Sequence, residues 1–185
     1  MWVEVGREKI YVGGAYIVPG SSARVRTADE IVRELGNDVA RYTKEGQVVV
    51  AGDWNCKIGK LASVSREREF DRRNTSKKID ARGKIVIELM NASDMVILNG
   101  IRGSVAESTY EGPGGSGVDD YIAVSEGLVE KTSNIEYLSE MKDILHTDHC
   151  GVACTIRIEG NALVESKDRR ERREKAGKGG YGIVG

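Results

Sequence analysis

Three polar clusters stand where apolar stretches of the sequence begin or end. They contain Asp53 and Asn55 in GDWN, Asp120 in VDDY, and Asp148 with His149 in HTDH. Each cluster alone is typical of a surface turn, because Asp and Asn side chains hydrogen-bond to nearby backbone. Together they supply what phosphodiester hydrolysis requires: carboxylates for a hard divalent cation, an imidazole oriented by a second carboxylate, and a neutral donor for phosphate oxygens.

A role for each residue follows from this chemistry. Asp120 orients His149, and Asp148 binds the metal. Asn55 donates to phosphate, and Asp53 exchanges a proton with the attacking water or with the leaving oxygen. The sequence alone leaves open the alternative that these are surface turns of an α/β binding protein.

Apolar stretches and turn residues predict the strands that position these clusters. A first β-hairpin is predicted from WVEV and KIYVGGAYIV, and a buried strand from VVVAGDWN. Further strands are predicted from MVILNG, from STYEGPGGSGVDDYIAVSEGL with a Gly-rich hairpin loop inside it, and from the end of LHTDHCGVACTIRIEG. The mixture of hairpins and crossover helices predicts layered α/β structure with mostly antiparallel sheets.

Helical periodicity appears in two segments. The first runs through TADEIVRELGNDVARYTKEG, where Thr27 and Glu30 have the spacing of a capping box and Gly46 suits the end. The second is DARGKIVIELMNASD, for which the periodicity predicts Ile85, Leu89 and Met90 on one buried face.

Two segments have no clear apolar pattern. KLASVSREREFDRRNTSKK is predicted to be a long surface loop, whose Arg66, Arg68, Arg72 and Arg73 either contact a phosphate backbone or are simply solvated. We assign residues 1–160 to one domain and residues 161–185 to a charged, Gly-rich tail that is disordered or a short helix. Its RRERR run is locally basic, but the neighbouring acidic residues weaken any binding of this run to DNA.

Composition excludes several classes of protein. The 185 residues carry a formal net charge of -1 and only 5% aromatic residues, so neither a strongly basic surface nor a base-stacking platform is expected. No apolar run approaches the ~20 residues of a membrane span, and no signal-peptide pattern is present. Three cysteines, an odd number, favour a reducing compartment, and Cys150 with Cys154 are predicted to be buried thiols rather than metal ligands.

The clusters also resemble the motifs of the endonuclease/exonuclease/phosphatase superfamily. GDWN resembles its G-D-[FW]-N motif, and GVDDYIAVS resembles S-x-I-D-Y-x-x-x-S. TDHCGV resembles S-D-H-x-x-V with Thr147 in the place of Ser, and GAYIVPG resembles a Tyr-x-Pro segment that contains Tyr16. DARGKIVIELMNASDMVILNG and STYEG resemble the stretches between these motifs, with Asp80 where Asn is common.

The resemblance implies an incomplete four-layer α/β/β/α sandwich with mostly antiparallel sheets. It implies a phosphodiester hydrolase dependent on Mg²⁺ or Mn²⁺ that acts on DNA, closest to endonuclease domains of non-LTR retrotransposons. By position it makes Asp53 the proton-transfer group, Asn55 and Tyr16 phosphate contacts, Asp120 the partner of His149, and Asp148 a metal ligand. The compartment expected for such an activity is intracellular, with the nucleus as the candidate.

One part of the family pattern has no counterpart in this sequence. The family carries a metal-binding Glu near its N-terminus, and neither Glu4 nor Glu8 falls at that place. We therefore expect weak metal binding, an exposed sheet edge with an uncovered apolar face, and low activity unless another chain supplies the N-terminal half. The alternative is a non-catalytic remnant that binds nucleic acid or protein, and metal-dependent turnover requiring His149 distinguishes the two.

Overall fold

A computed structural model describes residues 1–6, 9–19, 27–66, 68–101, 104–113 and 115–158. The predicted tail at 161–185 and Glu8 lie outside the described residues. Among those described, the strands are, in chain order, β1 (Trp2–Val5), β2 (Ile10–Gly14), β3 (Gln47–Asp53), β4 (Ser63–Ser65), β5 (Arg68–Phe70), β6 (Met95–Ile97), β7 (Tyr110–Gly112), β8 (Gly115–Gly117), β9 (Asp120–Ser125), β10 (Glu136–Leu138) and β11 (Gly151–Ala153). The helices are α1 (Ala28–Glu45), α2 (Ala81–Ala92) and α3 (Glu140–Leu145), with a 3₁₀ helix at Glu126–Lys131.

A five-stranded sheet in the order β1-β2-β3-β9-β6 forms the centre of the fold. Only the pair β2–β3 is parallel, and the other pairs in this sheet are antiparallel. The mixed α/β class and the mostly antiparallel pairing are thus confirmed, as is the predicted first hairpin, in which Trp2 pairs with Gly13.

The predicted helices are present, and α1 has the predicted caps. Thr27 caps α1 in a capping box with Glu30, and the helix ends at Gly46. Asp80 caps α2 by accepting the backbone N–H of Gly83. The predicted buried face of α2 was partly wrong: Met90 is fully buried, but Ile85 is 49% exposed. The buried residues of α2 are Gly83, Val86, Ile87 and Met90, which together form the stripe of the helix that packs against the rest of the protein.

Strand alternation divides the core into two faces of the sheet. Val48 and Val50 of β3 point to the face that α1 and α2 cover, together with Tyr121 of β9. Val49 of β3 and Ile122 of β9 point to the opposite face, where the 3₁₀ helix and the β10–β11 pair pack. The α layer, the five-stranded sheet and the β10–β11 pair make an incomplete sandwich, since α3 has no buried side chain to add a packed layer.

The prediction of a long surface loop after residue 60 was wrong. The segment contains the hairpin β4–β5, and β4 packs beside β6 and α2. Its polar side chains Ser63, Ser65 and Arg72 are buried. The apolar pattern of the sequence did not reveal the hairpin because several of its buried side chains are polar and are held by hydrogen bonds.

The three cysteines are free thiols, and the predicted burial is confirmed for Cys150 but only in part for Cys154. Cys56 and Cys150 are buried. Cys154 is partly buried and packs against the apolar residues on the sheet face opposite the helices. Burial raises the pKa of Cys56 to about 12.

The face opposite the helices is only partly covered. A groove of about 300 Å³ runs between β11 and the sheet, with Ile10, Val49 and Ile122 among its lining residues. At its rim, Val5 and Val12 are each 38% exposed. An open apolar patch of this kind is typical of an association surface.

We therefore expect replacement of both rim valines, Val5→Lys and Val12→Lys, to reduce self-association and the fluorescence of a bound apolar dye. Stability should change little, because both side chains are already partly solvated. Light scattering and dye titration measure the effect. Val64→Lys, at a site 42% exposed on β4, is the control, and an equal effect there would show that the groove has no special role.

Candidate active site

Two carboxylates meet where β3 ends and β9 begins. Asp53 and Asp120 are register partners in the antiparallel β3–β9 pair. Asp53 is in phase with Val49, and Asp120 with Ile122, so alternation places both on the face opposite the helices. Their side chains are 17% and 18% exposed.

His149 joins this pair from the loop before β11. Its Nδ1 lies 2.8 Å from Asp120 Oδ2, and its Nε2 lies 4.0 Å from Asp53 Oδ2. The carboxylate fixes the proton on Nδ1, and Nε2 is left facing Asp53. The structure therefore brings together three of the predicted site residues.

Asn55 contacts Asp53 directly. Its Nδ2 donates to Asp53 Oδ2 at 2.8 Å and to Ile17 O at 3.0 Å, and its backbone N–H donates to Asp53 Oδ1 at 3.0 Å. Its φ is +44°, a left-handed conformation that Asn tolerates better than most residues. In this arrangement both amide hydrogens hold Asp53 and the neighbouring segment, so neither is free for phosphate.

Tyr16 lies beside this turn. The backbone N–H of Ile17 donates to Asp53 O at 2.9 Å, which continues the parallel pairing beyond β2. Ile17 is fully buried on the helix face, and Tyr16 is 51% exposed. Alternation then places Tyr16 on the same face as Asp53, where a substrate could reach its ring.

Asp148 is exposed at the edge of the site, and its backbone carbonyl accepts the N–H of Glu111 at 3.0 Å. Glu4 lies in β1 opposite Tyr11, away from the Asp53 end of the sheet. Within the described ranges, no group of three or more His, Cys, Asp or Glu side chains is arranged to hold a metal ion. The carboxylate of Asp120 is hydrogen-bonded to His149, and the carboxylate of Asp53 is hydrogen-bonded to Asn55. These residues alone therefore do not form a complete set of metal ligands.

The environment shifts the pKa of two site residues upward. Burial raises the pKa of Asp53; the backbone N–H of Asn55 opposes this shift, and the charge of Asp120 adds to it. For His149, burial acts to lower the pKa, but the hydrogen bond and charge of Asp120 outweigh it, with help from Asp53 and Asp148. The net result is a His149 pKa above its ordinary value of 6.5.

We expect the pKa of His149 to fall when Asp120 is replaced by Asn. The substitution removes the charge that favours imidazolium and leaves the burial that opposes it. Because the folded pKa is raised, the pair stabilises the wild-type fold fully below pH 6.5 and loses this effect as the pH rises through the folded pKa. Imidazole NMR titration of wild type and variant measures both values. An unchanged His149 titration in the variant would contradict the assignment.

Sequence reasoning missed several residues that position the site. The buried Thr109 Oγ1 accepts the N–H groups of Asp119 and Asp120 at 3.0 Å each, and Thr109 O accepts the N–H of Cys150 at 2.7 Å. Thr109 thus ties the start of β9 to the segment that carries His149. The ring of Tyr110 lies 5.2 Å from that of His149, and Arg82 Nη1 donates to Asn55 O at 2.8 Å. Only the Thr of STYEG gave a signal, as a strand residue.

The four arginines of the predicted loop do not share one role. Arg72 is 5% exposed and donates to backbone carbonyls, so the prediction that it contacts phosphate or is solvated was wrong. Arg66 and Arg68 pair with acidic residues near Ser125, at the opposite end of β9 from Asp120. Arg73 is exposed. Trp54, predicted to be core, is fully buried with its ring 5.3 Å from that of Tyr121.

No protein-family model matches the sequence, and no curated protein matches it significantly. Solved structures do match. The endonuclease domain of TRAS1, a telomere-specific non-LTR retrotransposon, aligns with 86% of this chain at 15% identity and a TM-score of 0.57. The 3'-5' exonuclease NExo from Neisseria meningitidis aligns with 85% at 14% identity and a TM-score of 0.63. A variant of the 3' phosphatase NExo from Neisseria, bound to a product DNA hairpin, aligns with 85% at 12% identity and a TM-score of 0.62.

The alignments span 63% of the TRAS1 chain and 64% of each NExo chain, so this chain covers less than two thirds of their length. Identities this low carry information on the fold alone. Among the described helices, none is long and apolar enough to cross a membrane. The sheet architecture and these similarities show that the chain has an endonuclease/exonuclease/phosphatase-like fold.

Proposed function

We propose that the chain is a phosphodiester hydrolase that acts on DNA. The observation that carries the proposal is the Asp120–His149 pair, with Nε2 of the imidazole turned toward the buried Asp53. An imidazole oriented by one carboxylate and facing another is an arrangement for moving protons and stabilising negative charge.

The chemistry requires water to add to phosphorus while the bond to the leaving oxygen breaks and that oxygen takes up a proton. The 4.0 Å between His149 Nε2 and Asp53 Oδ2 leaves room for one oxygen that hydrogen-bonds to both. The raised pKa of His149 favours imidazolium, which stabilises charge on phosphate oxygens. The raised pKa of Asp53 suits it to exchange a proton with the water or with the leaving oxygen.

DNA is the proposed substrate because TRAS1 is described as an endonuclease and a NExo structure holds a product DNA hairpin. Nicking of the retrotransposon type rests on the TRAS1 similarity, and it would place the protein with DNA in the nucleus. The net charge of -1 gives no general attraction to a polyanion. Binding would therefore depend on local contacts, with Tyr16 as the proposed phosphate contact.

Mg²⁺ or Mn²⁺ is the proposed cofactor, with Asp148 as the ligand from this chain. Hard cations of this kind take about six oxygen ligands. A single exposed carboxylate supplies few of them, so we propose weak binding by the isolated chain.

Nicking of supercoiled plasmid tests the proposal. Wild-type protein should nick in Mg²⁺ or Mn²⁺ but not in EDTA, and the rate should still rise above about 1 mM metal because binding is weak. Asp53→Asn, which keeps the shape of the side chain, should remove the activity. A folded wild type with no nicking at any metal concentration would reject the proposal.

The second candidate is a non-catalytic remnant that binds nucleic acid or protein with the same surface. Two observations favour it: the amide hydrogens of Asn55 are occupied, and the described residues do not hold a complete metal site. For this candidate, DNA binding in a gel-shift assay should persist without nicking and should be equal for wild type and Asp53→Asn.

We also propose that an apolar β-strand of another polypeptide occupies the groove. Among the described strands, β11 pairs only with β10, and Val152 and Ala153 line the groove beside its apolar floor. A strand added along β11 would satisfy this edge and cover the floor. A synthetic Val/Thr-alternating peptide of about ten residues should slow amide exchange in Gly151–Ala153. No protection, or protection spread evenly over the chain, would reject this partner.

A further inference from the structure

Strand β9 extends beyond its neighbour β6 at the end that carries Asp120. The last register pair of β6 and β9 is Ile97 with Ala123. The N–H of Leu98 still donates to Ile122 O at 2.8 Å, and the chain then turns at Gly100, whose φ is +77°. On this side, the first two residues of β9 have no backbone strand beside them.

The side chain of Asn99 takes the place of that strand. Its Nδ2 donates to Asp120 O at 3.1 Å, and its Oδ1 accepts the N–H of Ile122 at 3.1 Å. These are the two backbone groups that a neighbouring strand would bind on either side of Tyr121. Asn99 is fully buried, so water does not compete for either bond.

A buried arginine fixes Asn99 in turn. Arg72 Nη1 donates to Asn99 O, while Nη2 donates to Ile97 O at 3.1 Å and to Ser63 Oγ at 2.9 Å. These partners are all neutral, and burial lowers the pKa of Arg72 to about 10. Enclosing a cation in this way is costly, and it holds the turn at Asn99 from several directions.

We propose that Asn99, held by Arg72, is a positioning residue for the Asp120–His149 pair. Asn99 touches the backbone of Asp120, Asp120 touches His149 Nδ1, and His149 faces Asp53. This inference deepens the proposed hydrolytic function and rests on it. Asn99 sets where the Asp120 carboxylate points, and it makes no contact with substrate because it is fully buried.

Asn74 provides a matched control for a purely structural role. It is 7% exposed, its Nδ2 donates to Gly59 O at 3.0 Å, and its Oδ1 accepts the N–H of Ser76 at 2.8 Å. It has the same pair of backbone hydrogen bonds as Asn99, but neither bond reaches Asp120. Asn74→Leu and Asn99→Leu should therefore lose similar stability for different local reasons.

The test compares these two variants by kinetics and by the proton signal of His149 Nδ1–H. Asn99→Leu should lower kcat for nicking about 10- to 100-fold with little change in KM, because small misplacements of reacting groups are costly. It should also shift or broaden the Nδ1–H signal, which reports the bond to Asp120. Asn74→Leu should leave both at wild-type values under conditions where each variant is folded.

If Asn99→Leu does not fold, Asn99→Ala replaces it, since it removes both side-chain bonds without placing a larger apolar group or a charge in the buried site. Wild-type kcat and an unshifted Nδ1–H signal in a folded Asn99 variant would overturn the inference, as would equal effects in Asn74→Leu. If the wild type does not nick DNA, the proposed function fails, and the Nδ1–H signal still decides whether Asn99 positions the pair.

Discussion

We expect the His149→Ala variant to nick supercoiled DNA about a thousandfold more slowly than wild type, within the range typical of general acid–base residues. The substitution removes Nε2 from its place 4.0 Å from Asp53 and leaves Asp120 without its partner. Because the imidazole is 30% exposed at a loop, the fold should survive its loss.

The clearest evidence would come from combining this change with Asp120→Asn. If Asp120 acts only through the imidazole, the double variant should be no slower than His149→Ala, because residues that work as a unit are strongly non-additive. Asp120→Asn alone should cost less, since the 2.8 Å contact to Nδ1 can persist without the charge.

His146→Ala is the control, since His146 is exposed, lies three residues away and caps the end of α3. Its rate should equal that of wild type. Fully additive losses in the double variant, or an equal loss in His146→Ala, would mean that the Asp120–His149 pair is not the working unit.

The convergence of the polar clusters could be predicted because strand ends are visible in the sequence. VVVAGDWN and VDDYIAVS each place an Asp at the end of an apolar strand, and antiparallel pairing of β3 with β9 makes them neighbours. The proximity of His149 could not be read from apolar patterning, since it depends on Thr109 joining β9 to the loop before β11.

The sequence did not reveal the elements whose buried side chains are polar. Ser63 and Arg72 lie in the interior because they satisfy one another and the carbonyls of neighbouring strands. Hydrophobic periodicity contains no signal for such a cluster. Strand β10 was missed for another reason, since its three residues EYL contain no apolar run and lie in a largely polar stretch of the sequence.

The role of Asn55 shows a limit of motif reasoning. Its position predicts a contact to phosphate, which stays a prediction, while the turn gives it a φ of +44° and directs its amide to Asp53 and Ile17. A motif fixes which residue is present but not the backbone conformation that aims it.

Gly52, the residue before Asp53, allows the backbone conformation with which β3 ends. We expect Gly52→Ala to lower the free energy of unfolding by at least about 3 kcal/mol. The φ of Gly52 is +147°, a conformation that costs other residues roughly 1–3 kcal/mol. An added Cβ would also overlap Ala15 O and lie 2.9 Å from Ala15 C, both backbone atoms of the segment paired with β3. To relieve this overlap, the segment that contains Ala15 would have to move, together with Tyr16 and the turn that follows Asp53.

Gly14→Ala is the matched control, because Gly14 lies on the neighbouring strand β2 and a Cβ there would meet nothing within 4 Å. Its stability should stay within about 0.5 kcal/mol of wild type or rise slightly, since alanine restricts the unfolded chain. Urea unfolding measures both variants, with equal m-values confirming comparable transitions. If Gly52→Ala were as stable as Gly14→Ala, the close approach of β3 to the Ala15 backbone would not be what requires glycine before Asp53.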